Sequence, residues 1–201
     1  MADHNQTEQK VVPWNDTVRQ NREVRVFAGP SIHGGHWVGV IDKAITVIND
    51  ELANKGVKVA IRKVAKETDA DAILDTTPGT GLHGQTFLDP QGTGVTQKAT
   101  IKVPATPRVS QRDPRAREVG PDVRLYILAH ELIHALGLSN AAHSKDDVFT
   151  KSPFLVTAGV VVNGKGVTSD MVQAYDASVL MPPIRIGAET MANLQQAWPP
   201  P

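Results

Sequence analysis

The chain is expected to be an α+β protein: a twisted, mixed β-sheet backed by two main helices, followed by a smaller, irregular carboxyl-terminal subdomain with a closing helix. Three observations predict this. Short stretches of alternating apolar and polar residues recur up to Pro104. Two longer stretches instead repeat apolar residues at three- and four-residue spacing, which is the period of a helix with one buried face. Beyond Gly137 both periods give way to turns and brief apolar runs. At 201 residues the chain is long enough for one domain with a real core.

Residues 1–20 read as a loosely docked arm whose only apolar anchors are Val11, Val12 and Trp14. "EVRVFAGP" (23–30) alternates and ends at Gly29-Pro30, so a strand is expected there. "SIHGGH" follows as a turn, and its histidines, His33 and His36, read as polar surface rather than ligands. Trp37, Ile41, Ala44, Ile48 and Leu52 line one face of a helix that "NKG" (54–56) stops. Strands are expected at 57–64, 71–77 and 98–104, with an irregular edge strand within 81–97 that Pro90 and the glycines blunt. A proline-rich loop leads to a second helix, "DVRLYILAHELIHALG", with Asp122 placed to cap it and Gly137 to end it. A hairpin bending at Asn163-Gly164, an apolar turn and a last helix, "IGAETMANLQQAW", complete the chain. The expected units are the arm (1–20), a first subdomain (21–137) and a carboxyl-terminal subdomain (138–201).

Composition removes several function classes. Twenty-one basic and 21 acidic side chains leave no net charge, so neither nucleic acid nor an anionic membrane is an expected partner. The absence of cysteine excludes disulfides, thiolate metal sites and cysteine nucleophiles. The amino-terminal region is polar, without the apolar core of a classical signal peptide, and the longest apolar runs are too short to span a bilayer. A soluble protein is expected. The compartment stays open, with secretion, injection and association with a virion all compatible.

The chemistry is concentrated in "HELIHALGLSNAAHS" (130–144). His130 and His134, four apart on a helix, project from one face and can share one small cation. Glu131 can reach a zinc-bound water, whose pKa the metal lowers toward neutrality, and take its proton as it attacks a peptide carbonyl. Leu128, Leu132 and Ala135 form the apolar face on which such a helix would pack. By itself H-E-x-x-H is a short pattern, and the bland alternative is an amphipathic helix with incidental histidines.

"HELIHALG" with a histidine farther on resembles the signature of the metzincin clan of zinc endopeptidases, in its matrixin-like form. "SVLMPP" (178–183) resembles the Met-turn of that clan, with Met181 as the methionine beneath the metal. The resemblance implies a zincin-like fold, one catalytic Zn2+, a protein or peptide substrate bound extended along the edge strand, and Glu131 as the general base. It also implies that Pro183, Ile184 and Arg185 help to wall the S1′ pocket. One departure stands out. The third ligand of the family falls three residues after the glycine, where this chain has Asn140; a histidine arrives only at His143. Zinc favours imidazole over a neutral amide, which favours His143, with Asn140 as the alternative. Glu189, in the last helix, is a remote third choice. A rival reading is a non-catalytic or latent component of a larger assembly, such as a phage particle or secretion apparatus, with an assembly partner in place of a substrate.

Overall fold

A computed structural model describes residues 9–81, 83–108, 118–144, 147–149, 161–162, 165–166 and 183–200. Its first strand, β1 (Glu23–Ala28), buries Val24, Val26 and Ala28, as the alternation requires. It is flanked on one side by β2 (Ala60–Val64) and on the other by β3 (Ala72–Gly81), both parallel to it. β5 (Lys98–Pro107) runs parallel to β3, and β4 (Gln85–Asp89) closes the sheet antiparallel to β5. The order β2-β1-β3-β5-β4 makes a five-stranded mixed sheet with β4 at one edge.

Five α-helices are found among the described residues. The two long ones, α3 (Val40–Asn54) and α4 (Pro121–Ala135), pack on each other, α3 against β2 and α4 against β5 and β4. The face expected from spacing is buried: Trp37, Ala44, Ile48 and Leu52 are fully enclosed and Ile41 nearly so. None of the described helices is long and apolar enough to cross a membrane.

Several expectations are corrected. Residues 9–21 are not a loose arm. Trp14 is 1% exposed, Val11 and Val18 are buried, and a short helix, α1 (Asp16–Asn21), leads into β1. Val11 bridges Leu138, and Trp14 bridges Thr96, so long-range backbone pairing fixes a segment with little local signal. "SIHGGH" is partly helical: Pro30 opens α2 (Pro30–His33), a position its fixed φ suits. β3 and β5 outlast their expected ends. A register shift between Thr77 and Thr80 absorbs Pro78-Gly79, and pairing resumes at Thr80–Thr106 and Gly81–Pro107. Asp122 does not cap α4. Gly120 is the N-cap, Pro121 occupies the first turn, and Asp122 contributes only its charge near the helix's positive end.

Beyond α4, two short antiparallel strands, β6 (Val161–Val162) and β7 (Lys165–Gly166), stand on either side of the expected bend at 163–164. The closing helix is α5 (Ala188–Ala197), which buries Met191, Leu194 and Ala197, with Trp198 just after it.

Candidate metal centre

α4 carries the first two histidines and buries all its residues from Tyr126 to Ala135. Leu128, Leu132 and Ala135 are fully enclosed, which anchors the helix while His130 and His134 face a cleft. Gly137 ends the helix with φ +97°, a conformation that disfavours any other residue, and a Cβ there would lie 2.8 Å from the Val12 carbonyl. The reversal returns the Leu138 carbonyl to His134, whose Nδ1 donates to it at 2.7 Å. The loop then makes a single 3-10 turn, Asn140–Ala142, whose first N–H groups are capped by Ser139. That turn delivers His143.

The three imidazoles converge. His143 Nε2 lies 3.1 Å from His130 Nε2 and 3.0 Å from His134 Nε2, and the three form a cluster able to hold a metal ion. His130 Nδ1 faces the Val148 carbonyl at 3.0 Å, and His134 Nδ1 faces that of Leu138. A carbonyl only accepts, so both Nδ1 atoms carry the proton and both Nε2 atoms present lone pairs to the centre. One proton on His143 Nε2 satisfies at most one of them, whereas a cation is shared by all three. Nitrogen ligands about 2.0–2.1 Å from a tetrahedral ion stand roughly 3.3 Å apart, and the two separations made by His143 match that to within a few tenths of an ångström. Burial pushes the imidazole pKa down to about 3 for His130 and about 4 for His134, which keeps them neutral, as ligation requires.

Glu131 is 4% exposed and shares the cleft wall with the histidines. Its Oε2 accepts a hydrogen bond from the Thr86 hydroxyl at 2.7 Å, from the edge strand β4. Burial raises its pKa to about 7, against the opposing pull of that hydrogen bond. Gly84 sits hard against it: a Cβ there would lie 2.5 Å from Glu131 Cγ and 2.8 Å from Oε1. The cleft, about 690 Å³, is lined by these groups together with His83, Gln85, Phe87 and Asn140.

Sequence reasoning missed Gly84, Thr86, Val148 and Phe149. The first pair lies more than 40 residues before the motif, and only the packing of α4 against the edge of the sheet brings it to Glu131. Val148 and Phe149 close the other side, where the Phe149 ring meets all three imidazoles.

Other expected residues have definite places. Asn140 is exposed on the cleft wall, and its carbonyl accepts from the His143 N–H at 3.3 Å. Glu189 is on the surface, paired with Lys10 at 3.3 Å. Pro183, Ile184 and Arg185 line a second cavity of about 500 Å³ with Glu51 and Tyr126, and are not among the described residues lining the histidine cleft. Arg185 is ion-paired there with the buried Glu51 at 2.8 Å. Met181 lies outside the described residues.

No family model matches the chain, and no curated protein matches it in sequence.

Proposed function

We propose that the protein is a metzincin-like zinc endopeptidase in which His130, His134 and His143 hold the metal and Glu131 is the general base. The observation that carries this reading is the convergence of three Nε2 atoms beside a buried carboxylate in one cleft. Zinc, when bound, supplies the Lewis acid that polarises a peptide carbonyl and acidifies the attacking water. Glu131 takes the proton of that water and returns it to the leaving amine nitrogen. Its place in the cleft wall beside the three histidines suits a carboxylate to both transfers. Thr86 keeps the carboxylate aimed, and Gly84 leaves it room. An extended substrate would add to the outer edge of β4, which among the described residues pairs only with β5.

A structural metal site has no use for a carboxylate held ready beside its ligands, so Glu131 favours the enzyme over the assembly component. The test is zinc content together with cleavage of an unfolded protein. One zinc per chain is expected, with cleavage lost on chelation and restored by zinc. Glu131→Gln should retain zinc and lose turnover by about 100-fold or more. Zinc lost from that variant, or cleavage indifferent to the chelator, would overturn the assignment.

A further inference from the structure

Phe149 is completely buried, and its ring centroid lies 5.1 Å from that of His130, 4.6 Å from His134 and 4.9 Å from His143. All three separations are within the range of packed aromatic pairs. The interplanar angles are 33°, 67° and 56°, so the ring lies against all three imidazoles without stacking face to face on any one of them.

The backbone of this segment is tied to His130, to the residue after His143 and to the chain that leads into α5. The Phe149 N–H donates to Asp147 Oδ1 at 2.8 Å, and its carbonyl accepts from the N–H of Ser144, next to His143, at 2.9 Å. The Ser144 hydroxyl also donates to Asp147. Asp147 Oδ2 accepts from the Gly187 N–H at 2.6 Å, and the Val148 N–H donates to the Arg185 carbonyl at 3.2 Å, which fastens the segment to the chain leading into α5. The Val148 carbonyl is the one that orients His130.

We infer that Asp147–Phe149 is the positioning unit of the three-histidine centre, with the Phe149 ring as its apolar floor. The inference rests on the metal-binding part of the reading above, not on peptidase activity. The imidazole torsion at χ2 is soft, so a histidine keeps its direction only if something blocks rotation. His130 and His134 are held at Nδ1 and by their helix. His143 follows a 3-10 turn, and its neighbour's bonds to Asp147 and Phe149 fix its position. A residue that merely filled the core would need volume alone; a floor needs the flat ring in that place.

The experiment titrates the purified full chain with Zn2+ against a competing chelator, and with Co2+ while recording its d–d absorption. Thermal unfolding of the metal-free protein reports on the fold. Phe149→Leu keeps apolar bulk and gives up the plane. It should weaken zinc binding by about 10–100-fold and shift the cobalt bands. Asp147→Asn, which removes one acceptor from the staple, should move both readouts the same way, and it carries the test alone if the leucine variant does not fold. Wild-type affinity and an unchanged cobalt spectrum in the folded variants would overturn the inference. Failure of the wild-type protein to bind either ion would overturn the metal reading beneath it, and is seen without any variant.

Discussion

The Thr86 hydroxyl donates to Glu131 Oε2 at 2.7 Å, joining the edge strand of the sheet to the carboxylate beside the three histidines. Strand and helix come from distant parts of the chain, so the position of Glu131 depends on correct packing of α4 against β4.

Removing that hydroxyl should raise the pKa of Glu131, because the hydrogen bond stabilises its charged form. The base must be ionised to act. In Thr86→Val the acidic limb of the kcat/KM profile should therefore move to higher pH, with the rate lowered about 10-fold at neutral pH. An unmoved limb would show that Thr86 does not act on the carboxylate.

Gly84→Ala tests space rather than charge. Its Cβ would overlap Glu131, and the carboxylate, enclosed by packing, must swing aside. A displacement of this size is expected to cost about 100-fold in turnover. Zinc content should be unchanged, since the added methyl meets Glu131 and not the histidines. Full activity in the alanine variant would contradict the tight fit.

Trp14 and Trp198 donate their indole N–H groups, each at 2.8 Å, to the carbonyls of Ala135 and Leu136, at the end of α4 where such carbonyls lack helical partners. Trp14→Phe should cost about 1 kcal/mol for the lost bond. Trp14→Ala should cost about 3–5 kcal/mol, because it also opens a cavity. Chemical denaturation of the metal-free protein measures both; costs near zero would return residues 9–14 to the status of a loose arm.

The pH dependence of the metal-free fold follows from two opposing shifts. His130 and His134 are held at about 3 and 4, below the ordinary 6.5, so the unfolded chain binds more protons and their contribution falls as the pH drops through that window. Glu131, raised from 4.5 to about 7, binds a proton more readily when folded, so its contribution is full in acid and is lost as the pH rises through 7. Glu131→Gln removes only the second effect. The difference in Tm between this variant and the wild type should grow in the variant's favour from about pH 5 to 8. A difference that stays constant across that range would contradict the raised pKa.

The long helices and the first two histidines were legible because their signals are local. Trp37 to Leu52 repeats at helical spacing, and His130, Glu131, His134 and Gly137 lie within eight residues. His143 was legible from ligand chemistry, although the form of its loop was not. Thr86 and Gly84 were illegible because a lone threonine in a strand, or a glycine just before it, carries no sign of its partner on the helix packed against the sheet. The docked amino-terminal segment was misread for the same reason: Val11, Trp14 and Val18 are too sparse for a period, and their partners are Leu138, Thr96 and the end of α4. Phe149 follows Val148 in a short apolar pair with no periodic signal, and only the fold sets its ring against three imidazoles.

The most direct test of the central claim is to incubate the protein and its Glu131→Ala variant with a complex peptide library and read new termini by mass spectrometry. New termini that require Glu131 and disappear with a zinc chelator are the predicted result, and they would also reveal the residue preferred after the cleaved bond. No new termini from protein carrying stoichiometric zinc, or the same termini from the alanine variant, would contradict a peptidase built on His130, Glu131, His134 and His143.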